Sequence, residues 1–177
     1  MKETSDDLGT YVQHEGRPAV RFARTFRHPI DRVWAAVSRP DEMKAWFPSS
    51  VQYEARVGGA IRFSDDPNAD ASNGKVLVFE PPRRFSFSWY EDELHLTLEP
   101  LGESSCRLTL VNVLADRSTA ARNAGGWYIC LAELRKALDG VPSGGPHSED
   151  AEPWREVYER HQRAGLPAGA PVPDSAT

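Results

Sequence analysis

The stretch RFARTFRHPIDRVWAAVSRPDEMKAWFP, residues 21–48, decides how this chain is read, because within it the apolar period changes from that of a strand to that of a helix. Val20, Phe22 and Phe26 share one parity, which predicts a first strand over residues 19–26. Pro29 then stands where a first helical turn tolerates it, and Ile30, Val33, Trp34 and Val37 recur at helical spacing. Ser38, Pro40 and Asp41 end that helix and start a second short one, which closes at Trp46 to Pro48. Two helices joined this way also invite comparison with a DNA-reading helix-turn-helix. The second helix is not basic, though, and a long run of strands follows.

Those strands are expected over residues 51–56, 60–64, 75–80, 83–90, 94–99 and 106–113. Their connectors, VGG, DDPNADASNG, EPP, ED and PLGESS, carry the Gly, Pro, Asn and Asp of turns and are short enough to imply an antiparallel meander. Alternation is plainest where Phe85, Phe87 and Trp89 oppose Ser86 and Ser88, and it continues with Leu94, Leu96 and Leu98 against His95, Thr97 and Glu99. One face is expected to be covered and the other wet. The cover is a long helix over about residues 118–138, with Trp127, Leu131, Leu134 and Leu138 in one stripe. Gly125 and Gly126 each cost about 1 kcal/mol against Ala in a helix, so a kink or a close backbone approach to the sheet is expected there. A first strand, two short helices, a meander and a long closing helix make an α+β helix-grip fold, a curved antiparallel sheet of six to seven strands wrapped around the long C-terminal helix.

The 177 residues suit one such domain with appendages. Residues 1–18 read as a polar arm, 19–140 as the domain, and 141–177 as a Pro, Gly and Ala-rich tail. The formal net charge of -5 and pI of about 5.6 leave no surplus of cations for a phosphate backbone, which argues against a nucleic-acid partner. No apolar run reaches the about 18 residues of a membrane span, and MKETSDDLGT lacks the apolar core of a signal peptide, so a cytoplasmic location is expected. Cys106 and Cys130 lack CxxC spacing and read as reduced core residues. In the tail, EPWREVYERHQRA sets Trp154, Val157, Tyr158 and His161 on one stripe of a short helix over about residues 152–164. That stripe needs a surface: the same domain, a second copy in a homodimer, or another protein.

Taking each strand's apolar parity as inward, the candidate ligand cavity draws on Arg24, Tyr53, Phe63, Phe85, Phe87, Trp89, Leu96, Leu110 and Asn112, with Trp127, Tyr128 and Leu131 from the helix. Such a lining suits a small apolar or aromatic ligand oriented by one or two polar atoms, and equally a filled core. Arg24 cannot lose its proton, so it needs a ligand anion inside or a local acid or carbonyl at the rim. No catalytic residue is assigned, since the inward faces carry no His, Asp or Glu. His95 has outward parity, His28 precedes a helix, and His14, His147 and His161 lie in the tails, so no metal site and no cofactor is expected. Residues 65–74 share Asp66, Asn68 and Asp70 with a calcium loop but lack its glycine and closing glutamate, and read as a long hairpin tip.

RTFRHPIDRVW, RPDEMKAWF, VGGAIRF, EPPRRFSFSW and GGWYICLAEL, in this order, resemble the START-like or SRPBCC superfamily, and within it the group called activator of heat-shock protein 90 ATPase homologue. The resemblance covers about residues 19–140. It implies the helix-grip fold and leaves activity open among lipid carriers, hormone receptors, polyketide cyclases, ring-hydroxylase subunits and chaperone regulators. Three functions follow as expectations: non-enzymatic binding of a small, largely apolar ligand as carrier or sensor; regulation of a chaperone ATPase or other protein interaction; and cyclase-like or hydrolase-like catalysis in the same cavity. The third requires a buried acid beside Arg24 or Tyr53.

Overall fold

The computed structural model of the chain describes residues 7–172; the start of the polar arm, residues 1–6, and the end of the tail, residues 173–177, lie outside the described residues. β1 (Thr10–His14) and β2 (Arg17–Phe26) form a hairpin. Its turn, Glu15 and Gly16, has positive φ at both positions, 50° and 80°, which matches the twist of the strands it joins. The arm read only as polar therefore contributes an edge strand. Its signal was weak because Glu-Gly is a less marked turn pair than Asn-Gly and β1 has no fully buried residue.

β2 leads into α1 (Ile30–Ser38) and α2 (Pro40–Met43). The Trp46 indole N–H donates to Ala36 O at 2.9 Å and folds the chain after α2 back onto α1. There follow β3 (Ser50–Tyr53), β4 (Ala60–Ser64), β5 (Ser72–Glu80), β6 (Arg84–Trp89), β7 (Asp92–Gly102) and β8 (Ser105–Val113). Among the described residues, eight strands rather than six or seven make one antiparallel sheet in the order β1-β2-β8-β7-β6-β5-β4-β3. Register aligns the inward residues in rows. Phe85, Leu96, Leu110 and Phe22 stand side by side across four strands, and the next row runs Phe87, Leu94, Asn112 and Val20. Asn112 is the polar member of that second apolar row.

After a 3-10 turn at Arg117–Thr119, capped by Asp116 Oδ1 accepting from the Ser118 N–H, α3 (Ala120–Leu138) lies across the sheet. Its Trp127, Leu131 and Leu134 are at most 2% exposed. Tyr128, Ile129 and Cys130 are buried too, which a single stripe does not explain. The second cover is α4 (Trp154–Arg163), which packs on α3 and buries Val157, Tyr158 and His161. The close approach at Gly125 is to this helix and not to the sheet: a Cβ there would meet Trp154 Nε1 at 3.1 Å and the Tyr158 backbone at 3.3 Å, whereas one at Gly126 would meet nothing. Beyond α4 the chain returns along α3, where the Ala121 N–H donates to Pro167 O at 2.9 Å.

Candidate functional site

The faces of β4, β6 and α3 meet in a group of rings. Phe47, from the link between α2 and β3, has its centroid 6.1 Å from Phe63, 6.0 Å from Phe87, 6.2 Å from Trp89 and 5.7 Å from Trp127. Phe63 and Phe87 are 5.7 Å apart, and Trp89 and Trp127 5.0 Å. These are contact separations for stacked, tilted and edge-on aromatic pairs, so the rings fill the space they enclose. Phe85, 5.0 Å from Phe87, joins this group to a second one made by Tyr53, Trp34 and Phe79 near α1. There the Tyr53 hydroxyl donates to Ser38 O, and burial pushes its pKa up to about 12, keeping the phenol a neutral donor. Leu96, Leu110 and Leu131 are buried beside the rings and complete the apolar wall.

Asn112 is wholly buried and wholly engaged. Its Oδ1 accepts from Trp127 Nε1 and from Asn123 Nδ2, each at 3.0 Å, and its Nδ2 donates to Asp92 Oδ2 at 3.0 Å. Asp92 also accepts from Asn123 Nδ2 at 3.1 Å and from the Ala115 N–H at 2.9 Å. Burial raises the Asp92 pKa, opposed by the Ala115 and Asn112 hydrogen bonds. This network pins the start of α3 to β7 and β8 and orients the Trp127 indole over Trp89. Trp89 lacks an equivalent: its indole Nε1 is buried and has no hydrogen-bond partner among the described residues.

Arg24 and Tyr128 lie apart from these rings, on the side covered by α4. The Arg24 guanidinium donates to Ala23 O and Asp7 O and sits 5.3 Å from the Phe22 ring and 5.9 Å from the Tyr128 ring. Tyr128 is 6.1 Å from His161. Among the described residues two carboxylates lie inside the fold and both are tied elsewhere: half-buried Asp92 to Asn112 and Asn123, and Glu133, 1% exposed on α3, to the Lys136 ammonium at 2.7 Å and the Ser143 hydroxyl at 2.6 Å, while Arg24 and Tyr53 make their hydrogen bonds to main-chain carbonyls. His95, read as a solvated outer residue, is half-buried, with Nδ1 2.9 Å from the Ser86 hydroxyl and Nε2 3.0 Å from Glu93. Ser86, expected on a wet face, is 2% exposed beneath it. Cys106 and Cys130 are free and buried, and burial pushes both thiols up, away from thiolate reactivity. Among the described residues no group of His, Cys, Asp and Glu side chains converges to hold a metal ion, and Asp66 in the hairpin tip accepts instead from the Asn68 N–H at 2.8 Å.

Two residues central to this arrangement escaped the sequence reading. Asp92 stood in a predicted turn, and Phe47 lies outside every strand, where parity gives no direction. The aromatic run Trp46–Phe47 between two helix-breaking prolines was the available signal.

An antiparallel sheet gripping one long helix, with a ring-lined interior between them, defines a START-like, SRPBCC-type domain. The chain belongs to the family of Activator of Hsp90 ATPase homolog 1-like proteins, whose model matches residues 27–139. No curated protein matches it. Among solved structures, CalU16 from Micromonospora echinospora is 26% identical, with a TM-score of 0.68 over 89% of this chain and 94% of that one. A protein encoded by gene BPP1335 from Bordetella parapertussis is 23% identical, with a TM-score of 0.66 over 96% and 97%. The protein EF2215 from Enterococcus faecalis is 16% identical, with a TM-score of 0.71 over 88% and 89%, and shows the shared fold alone. The first two matches reach well beyond residues 27–139. Among the described residues no helix is long and apolar enough to cross a membrane.

Proposed function

We propose that this protein binds a small, largely apolar ligand between the sheet and α3 and acts as a carrier or sensor in the cytoplasm. The observation that carries this reading is the Trp89 indole N–H, buried without a partner within an otherwise apolar ring cluster. A buried donor left unpaired costs about 1–3 kcal/mol, and a ligand acceptor that reaches it recovers that cost. Phe47 is the ring a ligand would displace, because it sits on an irregular link while Phe63, Phe87, Trp89 and Trp127 are fixed on strands and helix. Binding is favoured over catalysis because the polar groups of the interior, Asn112, Asp92, Glu133 and the Tyr53 hydroxyl, are already committed to other groups of the protein. The free, buried cysteines agree with a reducing compartment.

The test is a thermal-shift screen of the purified chain against fatty acids, sterols, flavonoids and aromatic polyketides, followed by Trp fluorescence titration of each hit. A saturable rise in Tm that is lost in a folded Trp127→Ala variant is the expected result. No shift with any class, together with stimulation of an Hsp90 ATPase by the same preparation, would replace the ligand reading with the protein-interaction one that the family description suggests.

A further inference from the structure

On its outer side Phe47 borders a second feature. Together with Lys44, Ser49, Asp65 and His147 it lines a half-open hollow of about 220 Å³ between the α2–β3 link, the β4–β5 tip and the tail. That is short of the about 300–1,000 Å³ of a complete small-molecule site, so the hollow can seat only part of a ligand. Phe47 is 2% exposed and is shared by the hollow and the ring-filled interior.

The polar atoms of the hollow favour an acceptor. Ser49 is 4% exposed, and its hydroxyl has no hydrogen-bond partner among the described residues. A hydroxyl sequestered in this way has lost water without gaining an acceptor. Lys44 stands exposed at the rim and adds an ammonium. Two carboxylates border the hollow and both are engaged: Asp65 accepts from the Ser64 hydroxyl at 3.3 Å, and Asp66 Oδ1 accepts from the Asn68 N–H at 2.8 Å and lies 3.7 Å from His147 Nε2. The tail forms the roof: the Ser143 hydroxyl reaches Ala45 O at 2.8 Å, and His147 Nε2 lies 2.9 Å from Pro48 O, a contact that requires the hydrogen on that nitrogen. Beside His147, the Ser148 hydroxyl is also buried without a partner.

We propose that this hollow seats the carboxylate of an apolar carboxylic acid, held by the Ser49 hydroxyl and the Lys44 ammonium, with the hydrocarbon part passing Phe47 into the ring-lined interior. The assignment rests on the ligand-binding reading above and adds the chemical class of the ligand's head. It also gives the tail segment carrying Ser143 and His147 a role, as the roof over that head.

The test compares decanoate with decanol, equal in chain length and different at the head, by Trp fluorescence titration of the full chain below micelle-forming concentrations. Decanoate is expected to bind at least tenfold more tightly. Lys44→Ala and Ser49→Ala should each bring that ratio toward one by weakening decanoate more than decanol. Ser49→Ala should melt no lower than the parent without ligand, because its hydroxyl has no partner to lose. Equal binding of the two compounds, or a ratio that survives both substitutions, overturns the head assignment and leaves the interior reading standing. Binding of neither compound overturns the head assignment, and the interior reading falls with it only if the wider screen of sterols, flavonoids and aromatic polyketides is also silent.

Discussion

At the scale of single residues, burial turns His161 from a tail histidine into a structural one. It is fully buried, Nε2 accepts from the Gly9 N–H at 3.0 Å, and Nδ1 lies 2.9 Å from Val157 O. Nδ1 must therefore carry the hydrogen, and the ring is neutral. Burial lowers its pKa, the nearby charges of Arg160 and Arg24 push in the same direction, and the Val157 hydrogen bond opposes them. A histidine whose folded pKa lies below its unfolded value takes up its proton on unfolding first. Its contribution is complete above the ordinary value near 6.5 and is lost as pH falls from there toward the folded pKa. Thermal melts at pH 7.5 and 5.5 should show the parent losing more stability on acidification than His161→Gln. Equal losses would mean that another group controls this window.

At the scale of elements, α3 separates two glycines that look alike in sequence. Gly126 faces open space, so Gly126→Ala should stabilise the protein by about 1 kcal/mol through helix propensity alone. At Gly125 any side chain presses on Trp154 and on the Tyr158 backbone, so Gly125→Ala should fail to deliver that gain and Gly125→Val should destabilise. Urea denaturation of the three variants distinguishes them. Equal gains for both alanines would mean that α4 does not sit against Gly125. The first strand, both short helices and the long helix were legible because apolar periodicity is a local property. β1 was not, because its pairing depends on a turn conformation at Glu15 and Gly16 that the residue pair does not demand.

At the scale of the whole molecule, α4 and the chain beyond it seal one side of the grip. Val157, Tyr158 and Leu166 are buried there, each worth about 1.5–3 kcal/mol against exposure. The tail-helix stripe packs inside the same chain, burying Val157, Tyr158 and His161 and half-burying Trp154. Among the described residues the exposed large apolar side chains, Val57, Leu77, Tyr90, Leu101 and Val141, come from separate strands and loops. The full chain should therefore run at its monomer mass of 19.7 kDa in light scattering. A chain ending at Gly140 uncovers Gly125, Phe22 and Tyr128, and should melt at a lower temperature and associate. A dimeric parent, or a truncated chain with unchanged Tm, would contradict that seal.

The sequence by itself determined what depends on neighbours along the chain: the switch from strand to helix after Phe26, the inward parity of Phe63, Phe85, Phe87 and Trp89, and the stripe of Trp127 and Leu131 on the closing helix. Only the tertiary structure decided which inward residues meet. Arg24 and Tyr128 shared the inward pattern yet lie beneath α4, while Phe47, with no pattern to declare it, stands at the centre of the rings. Asn112 and Asp92, far apart in a reading of strand and turn, became partners through the register of β7 on β8. The physical reason is that parity fixes the face a side chain takes. Sheet curvature, register and the docking of a distant helix fix its company, and these are set by close packing among residues remote in the chain.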